Sequence, residues 1–237
     1  MNVAIQQPEH IPWIGFFNKM VQCDSFVYLD NVQFKKRYFE NRNKVRGKSE
    51  TLWLTVPVNS KGLYSQNLCD VQIDNDQTWK KKYRGRLEYV YGKYPFWSEL
   101  KEIVYAPLNK SFEKLVDLNL AFIENIREYL EIDTPTVLAS QMISEDLKGS
   151  DLILEICVRS KAKRYTSGPD GINYLDSEKF LKNGVEIVYH DFEHPQYPQM
   201  GKAFASRLSI LDLIANCGKE SLQFINTSRK QDIKNAF

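Results

Sequence analysis

The first 30 residues carry the pattern that most constrains the fold: a strand, a short connection, a helix and a second strand. Residues 3–7 form a strand-like run that ends at Pro8, residues 15–22 have the apolar spacing of a short helix, and residues 25–29 form a second strand-like run. Parallel neighbours in a sheet need a crossover connection, and a helix is the usual one. The start of the chain therefore predicts a parallel βαβ unit.

The rest of the chain extends this alternation. Further strands are predicted at residues 52–58, 136–139, 164–167 and 185–192, and further helices at residues 112–130, 151–160, 177–182 and 208–216. We therefore predict one α/β domain over residues 1–226, with a Rossmann-like, mostly parallel sheet flanked by helices. A helical insertion is expected at about residues 76–131, and a polar C-terminal tail at residues 227–237.

Composition predicts a folded, cytoplasmic protein. Of the 237 residues, 43% are hydrophobic and 26% are charged, which is ordinary for a globular domain. We expect no membrane insertion, because no run approaches the roughly 20 apolar residues of a spanning helix. The first residues also lack the basic segment of a signal peptide. The four cysteines are expected to be reduced, and three histidines without a Cys/His cluster predict no metal site.

Charge is spread unevenly along the chain. Residues 1–100 carry 15 Lys and Arg against 10 Asp and Glu, whereas residues 101–237 carry 17 against 20. Residues 35–48 and 80–93 hold most of the basic excess. A local basic surface of this kind favours a phosphate-bearing ligand.

Polar and aromatic side chains gather where the first strand ends. Gln7, His10 and Trp13 lie between this strand and the first helix. Ligands of open α/β sheets bind at the carboxyl ends of strands, and a helix N-terminus there attracts phosphate. His10 is a candidate base near neutral pH. The alternative is that this turn only packs against its surroundings.

A second candidate group follows the second strand. Asp30 stands at the strand's end, and the side chains after it suit a sugar nucleotide. Arginines hold diphosphates through paired hydrogen bonds, and amides bind sugar hydroxyls. The candidates are Gln33, Arg37, Asn41, Arg42 and Asn43. The alternative is a solvated charged face.

Two later segments complete the candidate site. Ser167 and Gly168, with Tyr174 nearby, form a glycine turn after a strand, where backbone N–H groups can bind an anion. Tyr197 and Gln199 lie in a proline-rich loop that is expected to be extended and to line a pocket.

The ordered set of these motifs resembles the WbqC-like family. The set comprises Gln7 and Pro8, Pro12 and Trp13, Gly15, Asp24, Asp30, Gln33, Asn41 to Asn43, Trp53 and Leu54 with Pro57, Ser167 to Pro169, Tyr197 to Gln199, Ser209, Asp212 and Gly218. The resemblance spans nearly the whole chain.

This resemblance implies a tailoring enzyme of surface-polysaccharide (O-antigen) biosynthesis. The implied reaction transfers an acyl or aminoacyl group, such as glycyl, to the amine of a nucleotide-linked amino sugar. The only cofactor-like requirement is an activated acyl or aminoacyl donor. In this hypothesis His10 or Asp30 is the base, Asn43 or the backbone of Ser167 and Gly168 stabilises the oxyanion, and Arg37 with Arg42 holds the diphosphate.

Two alternatives stay open. Residues 10–13 are faintly similar to the His-Ile-Gly-His signature of nucleotidylyltransferases, which favours an ATP-dependent amide ligase. The other is a non-catalytic protein that binds a sugar nucleotide or tRNA. If an aminoacyl-tRNA is the donor of the transferred group, we expect it to dock on the basic residues Lys80, Lys81, Lys82, Arg84 and Arg86.

Overall fold

Five parallel strands form the central sheet of the protein, as seen in a computed structural model that describes residues 1–47, 50–76, 78–201 and 203–226. The tail predicted at residues 227–237 lies outside these ranges. The strands are β1 (Asn2–Gln6), β2 (Ser25–Tyr28), β3 (Arg42–Arg46), β4 (Thr51–Thr55), β5 (Thr136–Leu138), β6 (Arg164–Ser167) and β7 (Glu186–Tyr189). The sheet order is β5-β2-β1-β6-β7, while β3 and β4 form a separate antiparallel hairpin.

Helices flank the sheet and fill the long connection between β2 and β5. They are α1 (Ile14–Val21), α2 (Trp79–Tyr91), α3 (Trp97–Asn109), α4 (Leu115–Leu130), α5 (Ala139–Met142), α6 (Gly149–Arg159), α7 (Ser177–Lys182), α8 (Ile210–Cys217) and α9 (Ser221–Asn226). The α/β, Rossmann-like class predicted from the sequence is confirmed. Within the described ranges, no helix is both long and apolar enough to cross a bilayer.

The two faces of β1 bury alternate residues in different cores. Val3 and Ile5 pack with α6 and α7, whereas Ala4 packs with α1 on the opposite side. This period of two is what a strand buried on both faces requires. It explains why residues 3–5 are apolar without interruption.

The order of the strands creates a crevice beside β1. Successive strands β1, β2 and β5 extend the sheet in one direction, and β6 and β7 extend it in the other. The connections therefore diverge between β1 and β6, which pair through Ala4 and Thr166. In open α/β sheets, this switch point is where ligands bind.

Several element bounds differ from the sequence predictions. The helix predicted at residues 112–130 begins at Leu115, and the strands predicted at residues 52–58 and 185–192 are shorter. Helix α3 and strand β3 were not predicted. Pro107 lies inside α3, and the alternating cations of β3 obscure its strand pattern.

Asn119 of α4 joins the helical insertion to the loop after β1. Its Nδ2 donates to the carbonyl oxygens of Pro8 (2.9 Å) and Glu40 (2.7 Å), and its Oδ1 lies 2.9 Å from Nδ1 of His10. All of these groups are enclosed, and Asn119 itself is fully buried. The amide therefore satisfies three groups that have no access to water.

We predict that Asn119→Ala lowers the free energy of unfolding by about 3 kcal/mol, because a buried group left without its hydrogen bond costs about 1–3 kcal/mol. Asn125→Ala is the matched control on the same helix, where one amide donates only to the Ile103 carbonyl. Urea unfolding of both variants measures the difference. Equal losses for the two variants would contradict the role given to Asn119.

Candidate active site

A cavity of about 610 Å³ opens at the switch point between β1 and β6. This volume is typical of sites for small ligands. Of the predicted site residues, five line it: Gln7, Trp13, Asn43, Gly168 and Tyr174. The cavity is also lined by Gln6, Glu9, Lys19, Lys35, Tyr38, His190 and Arg207, none of which was singled out as a site residue from the sequence.

Three side chains form a hydrogen-bonded relay in the cavity wall. The ammonium of Lys19 donates to Oε1 of Gln6 (2.6 Å), and Nε2 of Gln6 donates to Oε1 of Glu9 (3.0 Å). Both ends of the Gln6 amide are thus oriented, with the oxygen towards the cation and the nitrogen towards the carboxylate. A Cβ placed on Gly168 would lie 3.7 Å from Nζ of Lys19, so this amine also reaches the end of β6.

Burial moves the pKa values of this pair towards neutrality. Burial raises the pKa of Glu9 to about 7, and repulsion from Glu40 adds to the rise, although the bond from Gln6 opposes it. Burial lowers the pKa of Lys19 to about 8, against the attraction of Glu9. An acid and a base with pKa values near the working pH are suited to proton transfer.

His190 adds a neutral imidazole to the cavity. Its Nε2 lies 2.6 Å from Oδ1 of Asn18, whose Nδ2 donates to the Ile225 carbonyl (2.7 Å). Because the Asn18 oxygen can only accept, Nε2 of His190 carries the proton and Nδ1 is an acceptor. Burial, and next the positive charge of Lys19, lowers the pKa of His190 to about 4.

Cations and aromatic rings surround the polar centre. Lys35, Tyr38, Tyr174 and Arg207 line the cavity, and all four are exposed. Trp13 lines it from the loop before α1. The cavity therefore combines an acid–base pair with positive charge and flat apolar surfaces.

His10, predicted as a catalytic base, is fully buried and does not line the cavity. Its Nε2 lies 2.8 Å from the Tyr83 hydroxyl, and the orientation of Asn119 requires that Nδ1 carries the proton. Burial lowers the pKa of His10 to about 4. His10 therefore holds the loop against α2 and α4. The similarity of residues 10–13 to nucleotidylyltransferases favoured an ATP-dependent ligase, and that interpretation needs an imidazole exposed to the ligand, which His10 does not provide.

Asp30 and Asn43, the other two predicted catalytic residues, bind backbone groups. Asp30 is 1% exposed and accepts from the Ser140 amide (2.9 Å) and hydroxyl (2.5 Å) at the start of α5. Nδ2 of Asn43 donates to the carbonyl oxygens of His10 (3.2 Å) and Ile11 (3.0 Å). Asn43 touches the cavity wall, whereas Asp30 does not line it.

The four remaining candidates of the second group lie away from the cavity lining. Asn41 bonds the Val56 carbonyl (2.9 Å), and Gln33 bonds the Tyr64 carbonyl (2.8 Å) beside a smaller surface pocket. Arg42 donates to the carbonyl of Arg37, and both arginines face outwards. The diphosphate clamp predicted from Arg37 and Arg42 is therefore not part of this cavity.

Ser167, Tyr197 and Gln199 also have structural partners. The Ser167 hydroxyl donates to the Gly168 carbonyl (3.0 Å). Tyr197 and Gln199 donate to Oδ2 of Asp212 at 2.9 and 2.6 Å, and these bonds tie the proline-rich loop to α8. Asp212 is fully buried, and burial raises its pKa. None of the three predicted residues lines the cavity.

Glu9, Lys19 and His190 were missed for identifiable reasons. Glu9 directly precedes His10, and an irregular loop has no periodicity that shows which side chain faces a ligand. Lys19 lies on the buried face of α1, at 4% exposure, where a lysine is unusual. That anomaly in an apolar helix was the available signal. His190 ends a strand next to β6, which is also a position where ligands bind.

The fold and the cavity define a Rossmann-like α/β protein with a ligand-sized cavity at the switch point of its sheet. The model of the WbqC-like protein family matches residues 7–224, and the chain belongs to this family. It is similar to the uncharacterized protein Rv1507c of Mycobacterium tuberculosis, with 31% identity over 232 residues, covering 96% of this chain and 99% of the relative. No solved structure is significantly similar to the chain.

We predict opposite neutral tautomers for His10 and His190, with the proton on Nδ1 in the first and on Nε2 in the second. Both rings should stay neutral down to about pH 5, because burial lowers both pKa values to about 4. With only three histidines, ¹⁵N-labelled imidazoles give separable NMR signals. Asn18→Asp is the control, since a carboxylate beside His190 should raise that pKa and leave the pKa of His10 unchanged. A titration near pH 6.5 for either ring would contradict this assignment.

Proposed function

We propose that the protein transfers an acyl or aminoacyl group to the amine of a nucleotide-linked amino sugar in the synthesis of a surface polysaccharide. The cavity between β1 and β6 is the proposed active site. The observation that carries the proposal is the relay of Lys19, Gln6 and Glu9, which holds a cation and a carboxylate with nearly matched pKa values in one ligand-sized cavity.

The lining of the cavity suits a sugar nucleotide as the acceptor. Lys35 and Arg207 supply the positive charge that a diphosphate requires, in place of Arg37 and Arg42. Tyr38 and Tyr174 offer flat surfaces for a base or a sugar ring. Membership of the WbqC-like family supports the polysaccharide context that the sequence resemblance implies.

Glu9 is the proposed base. An amino sugar enters as an ammonium, which cannot attack a carbonyl until it loses a proton. A carboxylate with a pKa of about 7 is half ionised at neutral pH and can accept that proton. The free amine then attacks the donor carbonyl, the bond from this carbon to the leaving group breaks, and the second amine proton ends on the leaving group.

Lys19 is the proposed electrostatic partner of the developing oxyanion. Its ammonium is held at a fixed point by Gln6 and lies beside Gly168, and the Lys19 side chain is itself buried. A fixed positive charge in such a place stabilises an oxyanion more than it would in water. The neutral His190 contributes an acceptor that orients the attacking amine.

We predict that nucleotide-linked 4-amino sugars raise the melting temperature of the protein more than the free nucleotides or ATP do. Glu9→Gln should retain this stabilisation and lower amide formation about 10²- to 10⁴-fold, because it removes only the base. Glu178→Gln on the exposed α7 is the matched control and should keep full activity. Stabilisation without turnover in the wild type would instead indicate a non-catalytic carrier, and stabilisation by ATP alone would indicate a ligase.

We also predict a bell-shaped pH profile of kcat/KM with a maximum between about pH 7 and 8. Below pH 7 the Glu9 carboxylate is protonated and cannot act as a base; above pH 8 Lys19 loses its charge. Initial rates from pH 5.5 to 9.5 at constant ionic strength measure the two limbs. A profile that stays flat between pH 6 and 9 would exclude the pair from the rate-limiting step.

A further inference from the structure

Cations on the outer face of the β3–β4 hairpin cluster around one tryptophan. The guanidinium of Arg42 lies 4.1 Å and Nζ of Lys44 lies 5.3 Å from the Trp53 ring. Nη1 of Arg86 on α2 donates to the Trp53 carbonyl at 2.6 Å. The pattern follows from the strand register: Lys44 pairs with Trp53, and Arg42 stands two residues away on the same face, while Asn43 and Leu54 point inwards.

The cluster continues into the proposed active site through adjoining rings. Phe39 lies 6.0 Å from Trp53 and 5.2 Å from Tyr38, and Nζ of Lys35 lies 5.4 Å from the Tyr38 ring. Lys35, Tyr38 and Phe39 line the cavity itself. We call the surface formed by Lys35, Tyr38, Phe39, Arg42, Lys44, Trp53 and Arg86 the basic aromatic strip.

The cations of the strip form no ion pair within the part of the chain that the structure describes. Across residues 1–47, 50–76, 78–201 and 203–226, the eight ion pairs involve cations at or after Arg127, and none involves the strip. Nε of Arg42 is buried and has no hydrogen-bond partner in the same part of the chain. A row of cations without ion pairs, beside adjoining aromatic rings, indicates a polyanionic ligand with flat groups.

We propose that the strip binds the single-stranded end of an RNA that carries the acyl group, so that the donor is an aminoacyl-tRNA whose 3′ end enters the cavity. This rests on the proposed function, because the cavity must hold the acceptor amine. Single-stranded nucleic acids are bound by the same combination, with cations on the phosphates and aromatic rings under the bases.

The strip replaces α2 as the docking surface expected from the sequence. Lys80 and Arg84 donate to the carbonyl oxygens of Lys110 (2.6 Å) and Leu108 (2.9 Å) near the end of α3, and neither lines the cavity. Arg86 alone of that group joins the strip.

In the reaction, the amine attacks the ester carbonyl, the ester C–O bond breaks, and the ribose oxygen leaves with the second amine proton.

Fluorescence anisotropy with unacylated tRNA and with an unpaired RNA oligonucleotide of about ten nucleotides tests the proposal. We expect the logarithm of the association constant to fall with the logarithm of salt concentration at a slope of about −3, for four phosphate contacts at about 0.7 each. Arg42→Gln with Lys44→Gln should reduce this slope by about 1.4. Trp53→Leu should weaken binding about tenfold and leave the slope unchanged, because it removes stacking.

The matched control is Arg84→Gln with Lys101→Gln. These two cations lie 5.3 and 5.5 Å from the Tyr105 ring, a cluster of the same chemistry that does not line the cavity. This control should bind RNA as the wild type does, and all variants should remain folded, with a cooperative melting transition well above the temperature of the binding assay. Equal losses of RNA affinity in the control and strip variants would overturn the proposal. It would also be overturned if Trp53→Leu left the RNA affinity unchanged and polyphosphate bound as tightly as RNA.

The test separates this proposal from the proposed function. Strip variants should keep the thermal stabilisation by a nucleotide-linked amino sugar, since the cavity is intact. No RNA binding at about 50 mM salt, together with intact acceptor binding, would overturn the RNA donor alone and favour an acidic carrier protein. RNA binding that depends on the strip, with no effect of any amino sugar, would support the strip and count against the acceptor.

Discussion

The loop after β1 is held by side-chain amides, and the site depends on this restraint. Three of its carbonyl oxygens, those of Pro8, His10 and Ile11, accept from Asn119 or Asn43. Buried carbonyls without partners are costly, so each amide removes a conformation that the loop would otherwise adopt. Ile11 is fully buried at a φ of 37°, a strained value that only such enclosure maintains. The same restraint points Glu9 into the cavity and His10 away from it.

Burial shifts the pKa values of the ionisable groups around this loop, and it does so both for groups that hold the structure and for groups that line the cavity. His10 and His190 both become neutral, but the ring of His10 is enclosed by hydrogen bonds while His190 lines the cavity. Glu9 and Lys19 are brought towards a common pKa from opposite sides, so that moving a proton between them costs little. Gln6 is hydrogen-bonded to both groups, and the orientation of its amide favours a protonated Lys19 and an ionised Glu9.

Sequence patterns predicted the strands of the sheet well. For the candidate site they indicated its place at the ends of the strands but few of the side chains that line the cavity. The apolar runs of β1 and β2 and the connection through α1 were sufficient for a parallel α/β fold, because burial on both faces leaves few other patterns. A ligand was expected at the carboxyl ends of β1 and β6, and the cavity opens at these ends. The particular side chains were harder, since His10, Asp30 and Gln199 are polar residues that satisfy buried backbone or carboxylate groups. A polar residue in the sequence indicates that its side chain needs hydrogen bonds, but it does not indicate whether that side chain faces a cavity or the interior.

The contact between Trp13 and Gly15 has a consequence for how this family diverges. A Cβ at position 15 would lie 2.5 Å from the indole of Trp13, which folds back over the start of α1 and packs against Phe192. Any side chain at position 15 would displace the indole from the wall of the cavity. The two positions are therefore coupled: a side chain at residue 15 requires either a shift of the Trp13 indole or a smaller side chain at residue 13. Substitutions at the two positions should not be additive in their effect on this wall of the cavity.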